Sequence, residues 1–266
     1  MIVSNRKIRI LLLYTSDISG HYRAAEAIKQ ALEKLYPQVQ VKEENLFNHG
    51  NCLIVKIMDT LYYTMVKLAP WLWDLLWDNK LIYWLIFPLR NFLYHCNSSR
   101  LYKEVIAPFS PQAVICTHNI ACALCSTIKR KKSLSYLLAA VPTDYALHPY
   151  WFYKNVDFYF LAHEGLRENL QRKGIPSYKI RTTGIPILSA FSEHKDRQKL
   201  KKKWGLKKDL LTILLMGGGQ GMGSLRQIVL DLNKLRLPVQ LLVVSGTNHG
   251  LEEKFQEMKP KLDVPM

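Results

Sequence analysis

The chain opens with a short apolar run and then changes to a helical spacing. Residues 8–14 are apolar on both faces, which is the pattern of a strand buried inside a parallel sheet. A polar turn at 15–20 follows, and residues 21–35 place their small and aliphatic side chains on one side, as a helix does. Residues 39–41 are again extended. This order predicts a β-turn-α-β unit, the opening of a doubly wound sheet.

The same alternation continues through the middle of the chain. Apolar runs predict strands at 113–116, 135–141, 158–162 and 179–182, and segments of helical character separate them. Strands that alternate with helices favour a parallel sheet. Residues 1–190 are therefore expected to form one α/β domain.

A second unit of the same kind begins near residue 211. An apolar strand is predicted at 211–216, a glycine-rich turn at 217–223 and a helix at 224–235. A doubly wound domain usually needs about 100 residues or more. We therefore expect residues 211–266 to be the incomplete start of a second Rossmann-like domain, joined to the first by a basic linker at 191–210.

Residues 56–96 interrupt this pattern with aromatic and basic side chains. No apolar run there reaches the ~20 residues that a bilayer-spanning helix needs. Tryptophan favours the membrane interface, and cations reach anionic head groups. The residues predicted to dock on a membrane are Trp71, Trp73, Trp77, Trp84 and Arg90. The alternative is an aromatic helical subdomain packed inside the protein.

The charge balance favours an anionic partner. The chain has 37 Lys and Arg against 21 Asp and Glu, a formal net charge of +16. Such an excess fits an anionic membrane, a phosphate-bearing substrate or nucleic acid. No recognition helix or single-strand motif supports nucleic acid. Five cysteines, an odd number, and no secretory signal fit the cytoplasm.

The glycine-rich turn after the strand at 211–216 has the geometry of a phosphate site. Glycines let backbone N–H groups approach an anion, and a helix N-terminus adds favourable partial charge. The residues predicted to bind a donor diphosphate are Gly217, Gly218, Gly219, Gln220 and Gly221. The turn lacks the Lys-Ser/Thr of a nucleotide-hydrolysing loop, which leaves a diphosphate such as that of a nucleotide-sugar. The alternative is a tight turn without a ligand.

Polar residues follow the strands of the first domain at the edge where such sheets bind ligands. His21 stands where the first strand gives way to a helix, and an imidazole there can act as a general base. The alternative for His21 is that it caps the helix or only bonds locally. Asp144, His148 and Trp151 follow the strand at 135–141, and His118 ends a neighbouring strand. These groups suit a hydroxyl-bearing acceptor; the alternative is a self-bonded loop.

Four strings of the sequence resemble one family in the family's order. They are residues 16–28, 142–151, 183–191 and 214–223. They are similar to the monogalactosyldiacylglycerol synthases and processive diacylglycerol glucosyltransferases, which are related to the peptidoglycan lipid GlcNAc transferase. Four strings in order across nearly the whole chain are far more specific than any one of them.

The resemblance implies a GT-B-like α/β fold of two Rossmann-like domains. It implies inverting transfer of galactose or glucose from a UDP-sugar to the hydroxyl of diacylglycerol, at the cytoplasmic face of a membrane and without a metal or cofactor. His21 occupies the place of the family's base, and Gly20 belongs to the acceptor loop. Anionic lipids, diacylglycerol and UDP-sugar are the expected partners.

Two departures from the family's pattern bear on activity. Residues 18–20 contain less glycine than the loop of many relatives, so the acceptor loop is expected to differ. The family completes its donor pocket with a later Gly-rich and acidic segment. We therefore expect the 266-residue chain to bind membranes but to transfer sugar poorly. The alternatives are an inactive or partner-dependent relative, and a transferase acting on a polyprenyl-linked acceptor.

Overall fold

The computed structural model describes residues 7–49, 64 and 98–266. The chain divides into two units, Met1–Phe191 and Ser192–Met266. The predicted membrane-docking residues Trp71, Trp73, Trp77, Trp84 and Arg90 lie outside the described residues. Within the described part of the chain, no helix has both the length and the apolar character needed to cross a bilayer.

The first unit is built on a sheet of six parallel strands in the order β2-β1-β3-β4-β5-β6. The strands are β1 (Arg9–Tyr14), β2 (Gln40–Asn45), β3 (Ala113–Cys116), β4 (Leu137–Ala140), β5 (Phe158–Leu161) and β6 (Ile180–Thr182). The helices are α1 (Gly20–Leu35), α2 (Ala107–Phe109) after a π-helical turn at Tyr102–Ile106, α3 (Asn119–Lys131) and α4 (Arg167–Arg172). Short 3-10 turns at Leu46–His49, Pro149–Trp151, Glu164–Leu166, Ser177–Lys179 and Ser189–Phe191 complete the described elements.

Strand β1 lies inside this sheet, which explains its uninterrupted apolar sequence. Its two edges pair with β2 and β3, and Leu11, Leu12 and Leu13 are all 0% exposed. Helix α1 buries Ala24, Ala25 and Ala27. Small side chains let the helix backbone lie close to the sheet, so the start of α1 has a fixed position relative to the ends of the strands.

Strand β2 is longer and more polar than the predicted segment at 39–41. It runs to Asn45 at one edge of the sheet. Lys42 pairs with Glu44 along the strand, and Glu43 pairs with Lys29 of α1. An edge strand tolerates charged side chains because one side of it faces solvent. The polar sequence of this segment therefore gives no strand signal, although backbone pairing with β1 makes it a strand.

His49 links the end of β2 to the helical residues that follow position 97. Its Nδ1 lies 2.9 Å from Glu104 Oε2, and its Nε2 lies 3.0 Å from Glu44 Oε2. Both distances are within hydrogen-bond range, so the ring bridges two carboxylates. Hydrogen bonds from His49 and Arg100 hold the pKa of Glu104 below its usual value. This link ties two stretches that are far apart in sequence.

The second unit repeats the strand-helix-strand pattern on a smaller scale. Strands β7 (Leu211–Met216) and β8 (Val239–Val244) pair in parallel. Its helices are α5 (Arg197–Lys203), α6 (Leu225–Lys234) and α7 (His249–Met258), with a 3-10 turn at Lys259–Lys261. Val229, Leu241 and Phe255 form its core. The predicted α/β class with two parallel sheets is therefore confirmed.

Candidate active site

The strand order of the first unit creates a crevice between β1 and β3. After β1 the chain crosses to β2 on one side, and after β3 it crosses to β4 on the other. Ligands of open parallel sheets bind at the carboxyl ends of the strands where the order reverses in this way. The residues that follow β1 and β3 are therefore the first candidates for chemistry. His21 follows β1, and Thr117 and His118 follow β3.

The loop after β1 is closed by its own hydroxyl groups. Ser19 caps α1, since its Oγ accepts a hydrogen bond from Tyr22 N at 3.2 Å. The same Oγ lies 2.6 Å from Thr15 O and 2.7 Å from Ser16 O, to which it donates. A capping serine fixes where the helix begins. His21 is thereby held in the first turn of α1, at the crevice.

The imidazole of His21 contacts residues that follow two other strands. Its Nδ1 lies 2.8 Å from the backbone oxygen of Thr117 and 2.9 Å from Thr143 Oγ1. Thr117 also donates its hydroxyl to His21 O at 2.9 Å. A carbonyl oxygen can only accept, so Nδ1 carries the proton and Nε2 keeps a lone pair. The tautomer with a basic Nε2 is therefore fixed by the fold.

The surroundings of His21 favour its neutral form. Burial lowers the pKa of His21 below its usual value, while the Thr117 carbonyl and the Asp144 carboxylate act in the opposite direction. The side chain nevertheless keeps partial exposure. A neutral imidazole with an available Nε2 and a nearby anion that favours the cation fits a general base. The alternative of His21 as a helix cap is wrong, because Ser19 has that role.

Three other histidines of the first unit cap the starts of helical segments. The Nδ1 atoms of His118, His148 and His163 accept hydrogen bonds from Ile120 N, Tyr150 N and Gly165 N, respectively. An Nδ1 that accepts must be unprotonated, so Nε2 carries the proton in these rings. They are thus in the opposite tautomer to His21. The structure separates one candidate base from three capping residues of the same type.

His118 nevertheless belongs to the site, because its ring touches that of His21. The two ring centroids are 4.6 Å apart in an edge-to-face arrangement. Burial and the neighbouring imidazole of His21 lower the pKa of His118 to about 3. A ring that stays neutral leaves His21 as the group that changes charge. His118 therefore restricts rotation of the His21 ring, and it does not compete with His21 for a proton.

The remaining predicted acceptor residues differ in position. Asp144 is exposed and close enough to His21 to affect its pKa. The ring of His148 stacks against that of Tyr150, with centroids 4.1 Å apart. Trp151 is 3% exposed and packs in the core, so its position gives the predicted acceptor contact no support. A Cβ at Gly20 would meet nothing within 4 Å.

Two residues of the site were absent from the predicted set. Thr117 supplies the carbonyl that fixes the tautomer, and Thr143 supplies the second contact to Nδ1. Both stand at strand ends, immediately before the predicted residues His118 and Asp144. Their place at the carboxyl edge was a usable signal. Their roles could not be predicted from the sequence, since Thr117 acts through its backbone carbonyl.

The glycine-rich turn of the second unit is packed tightly by its own backbone. Gly218, Gly221 and Gly223 have positive φ angles of 67°, 59° and 91°. A Cβ at Gly221 would lie 2.0 Å from Ser245 O, and one at Gly217 would lie 2.5 Å from Met222 O. Ser224 precedes α6 without a side-chain capping bond. The turn thus exposes backbone at a helix start, and its glycines also serve packing.

The described residues contain no group of three or more His, Cys, Asp or Glu side chains placed to hold a metal ion. Cys116, Cys122 and Cys125 are buried free thiols. Burial raises the pKa of Cys116 and Cys122 well above the usual value. The basic group at the crevice is therefore an imidazole and not a thiolate.

Comparison with known sequences gives one family and consistent relatives. The family described as Monogalactosyldiacylglycerol (MGDG) synthase matches residues 21–187. A processive diacylglycerol beta-glucosyltransferase of Bacillus licheniformis is 24% identical over 96% of this chain and 65% of its own length. A chloroplastic monogalactosyldiacylglycerol synthase of Spinacia oleracea is 27% identical over 96% of this chain and 51% of its own length. The chain thus spans about half to two thirds of these relatives.

Comparison with solved structures supports the fold alone. A UDP-GlcNAc 2-epimerase from Neisseria meningitidis, bound to UDP-GlcNAc, matches with a TM-score of 0.55 at 13% identity over 97% of this chain and 72% of that chain. The S. aureus MnaA–UDP co-structure matches with a TM-score of 0.55 at 12% identity over 97% of this chain and 69% of that chain. These likenesses fit the predicted GT-B-like α/β class.

Proposed function

The chain belongs to the monogalactosyldiacylglycerol (MGDG) synthase family, as its sequence strings predicted, and from that premise we propose that it serves glycolipid synthesis. The reaction is transfer of galactose or glucose from a UDP-sugar to the hydroxyl of diacylglycerol, with inversion at the anomeric carbon. The enzyme works as a peripheral protein at the cytoplasmic face of a membrane. The relatives' names, diacylglycerol glucosyltransferase and MGDG synthase, support the substrate class.

His21 is the general base of this proposal. Its Nε2 takes the proton of the acceptor hydroxyl as the oxygen bonds to the anomeric carbon, and the bond from that carbon to the diphosphate oxygen breaks. The electron pair leaves with UDP, and the proton remains on His21. The 2.8 Å contact from Nδ1 to the Thr117 carbonyl carries the argument, because it keeps the lone pair on Nε2. Asp144 stabilises the imidazolium that forms.

In this proposal the two units bind different substrates, each through the loop that follows its first strand. Residues 1–190 take the lipid acceptor, with Gly20, His118, Asp144 and His148 around the base. Residues 211–266 belong to the donor side, and 191–210 connect the two. In this proposal, backbone N–H groups of Gly217 to Gln220 and of the start of α6 bind the donor diphosphate, whereas Gly221 N donates to Gly218 O at 3.2 Å and contributes no free N–H. The positive φ angles of this turn support that role.

The test is a transfer assay with the 266-residue chain to which a C-terminal half from a relative has been added. Radiolabelled UDP-glucose or UDP-galactose is supplied to vesicles that contain diacylglycerol, and labelled glycolipid is measured. A polyprenyl-linked acceptor in matched vesicles is the competing substrate. We expect transfer to diacylglycerol and none to the polyprenyl lipid. Transfer to the polyprenyl lipid alone, or no transfer from either UDP-sugar, contradicts the proposal.

The 266-residue chain provides a second measurement in the same assay. We expect it to transfer sugar poorly while it still binds vesicles. Turnover by this chain equal to that of the chain with the added C-terminal half would contradict the expectation that residues 211–266 leave the donor site incomplete. Binding of UDP to the two proteins, measured by calorimetry, separates a donor defect from an acceptor defect.

A further inference from the structure

The strongest concentration of charge in the described residues lies in the second unit, away from His21 in sequence. Residues 195–208 contain eight Lys and Arg and one acid, Asp196. Their net excess of positive charge is nearly half of the +16 carried by the whole chain. Residues 195–208, hereafter called the basic platform, comprise the two residues before helix α5, the helix itself and the turn that follows it.

A buried lysine fixes the backbone of the basic platform. Lys201 is 9% exposed, and its Nζ donates to the carbonyls of Lys207, Lys208 and Leu210 at 3.3, 2.6 and 3.2 Å. Gln240 of β8, 2% exposed, both accepts from Lys207 N and donates to Lys207 O at 2.8 Å. The turn is thus bonded to α5 on one side and to the sheet on the other. Its cations stand on a fixed backbone.

The other cations of the basic platform point to solvent with little compensation. They are Lys195, Arg197, Lys199, Lys202, Lys203, Lys207 and Lys208, all exposed. Among the described residues, one ion pair within 4.0 Å involves this set, between Lys199 and Asp196 at 3.9 Å. Like charges held together on a rigid surface repel one another, so an anionic surface opposite them lowers the free energy. The platform is complementary to a polyanion.

Two apolar side chains decide which polyanion fits. Leu200 and Trp204 are four positions apart at the end of α5, and they are 38% and 60% exposed. Lys203 Nζ lies 5.9 Å from the centre of the Trp204 ring. Tryptophan beside lysine is typical of the membrane interface, where the ring enters and the cations meet head groups. An aliphatic leucine beside that ring has no partner on a nucleic-acid backbone but does have one in a bilayer.

We propose that the basic platform, with Leu200 and Trp204 at its centre, is a docking surface of the second unit for an anionic lipid bilayer. In sequence it is a different stretch from the aromatic segment 56–96. The cations bind head groups and the two apolar side chains enter the interfacial region. A second contact would hold the donor unit at the membrane by itself. The surface does not depend on the proposed transfer reaction, so binding is the appropriate readout.

The experiment compares two triple variants of the 266-residue chain by co-sedimentation with vesicles. One variant, Lys199→Gln with Lys202→Gln and Lys203→Gln, removes three platform cations. The control, Lys254→Gln with Lys259→Gln and Lys261→Gln, removes three exposed cations elsewhere in the same unit. Vesicles are equimolar phosphatidylcholine and phosphatidylglycerol, or phosphatidylcholine alone. We expect the platform variant to bind the anionic vesicles about 100-fold more weakly, from about fivefold for each of the three cations near the surface.

A tryptophan readout distinguishes insertion from simple charge attraction. Bromine-labelled acyl chains quench a ring that enters the bilayer, and the difference between the wild type and Trp204→Phe isolates the Trp204 signal. We expect that signal to be quenched in anionic vesicles, and Trp204→Ser to weaken binding. Equal vesicle binding by the two triple variants overturns the proposal. An unquenched Trp204 also overturns it. The same holds if the platform variant loses oligonucleotide binding but keeps vesicle binding. Unchanged unfolding midpoints of the triple variants and of the Trp204 variants exclude misfolding as the cause of weaker vesicle binding.

Discussion

The two strand-turn-helix loops of this protein look alike in sequence order but are built in different ways. The first, residues 15–19, joins β1 to α1, and the second, residues 217–224, joins β7 to α6. The first is closed by side-chain hydroxyls, with Ser19 as the cap of α1. The second is closed by backbone, with Met222 N donating to Gly217 O at 2.7 Å.

The glycines of the two loops have different structural roles. Gly20 has an ordinary φ and open space beside it, so neither conformation nor packing requires a glycine there. In the first loop the left-handed residue is Ser16, with φ 58°. In the second loop Gly221 has both a positive φ and a backbone oxygen where a Cβ would be. The first loop serves to place a side chain, His21, and the second to bring backbone close to backbone.

The largest expected effect tests the first loop as a holder of a catalytic side chain. Changing His21→Gln removes the basic Nε2, and we expect transfer to fall about 10²- to 10⁴-fold, the usual contribution of a general base. The measurement is kcat/KM for the UDP-sugar with diacylglycerol in vesicles. The matched control is His194→Gln, an exposed histidine of the second unit. Equal activity of the two variants would remove His21 from the chemistry.

The next effect tests the second loop as a packed structure. Changing Gly221→Ala forces a Cβ against Ser245 O at a positive φ, and we expect the second unit to lose about 3 kcal/mol of unfolding free energy. Changing Gly218→Ala meets no neighbour and has only the positive φ to overcome, about 1 kcal/mol. Urea unfolding followed by fluorescence measures both. Equal losses would show that packing does not distinguish these glycines.

A smaller effect concerns the protonation of His21. Because burial lowers its pKa, we expect the acid limb of kcat/KM to lie below the ordinary histidine value of about 6.5. The folded state favours the neutral form of His21. The contribution of this preference to the unfolding free energy is therefore present at neutral pH, and it is lost as the pH falls and the unfolded state takes up a proton. Asp144 raises the pKa, so Asp144→Asn should move the limb to lower pH. A shift to higher pH would contradict this arrangement.

The tautomer of His21 can be read without turnover. Nitrogen NMR of the imidazole is expected to place the proton on Nδ1 in the wild type. In Thr143→Val the Thr117 carbonyl remains, so the tautomer should persist while transfer falls about fivefold, the value of one hydrogen bond. A proton on Nε2 in either protein contradicts the assignment of the base.

The smallest expected effect completes the comparison. Changing Gly20→Ala fills open space at the start of α1 and should leave the unfolding free energy equal or raise it by about 0.4–1 kcal/mol. Thermal unfolding of the first unit measures this change. A clear loss of stability would contradict the open surroundings of Gly20. If transfer falls while stability does not, the acceptor approaches the backbone at this position.

Patterns in the sequence were enough to predict the elements of the fold and their kind. Apolar runs placed β1, β3 and β7 almost to the residue. For β1 the reason is burial on both faces of a parallel sheet, whereas β7 is apolar although Leu211, Leu214 and Met216 are exposed. The four strings predicted the family that matches residues 21–187. Strand β2 was predicted short, because a charged edge strand carries no such signal.

The role of each polar side chain depends on contacts between elements that are far apart in the sequence. His21, His118 and His148 share a place after strands, yet a carbonyl on a strand 96 positions away gives His21 the opposite tautomer. Trp151 turned inward to the core. Local periodicity records which face of an element is buried. It does not record which strands become neighbours, and the hydrogen bonds that set proton positions depend on that order.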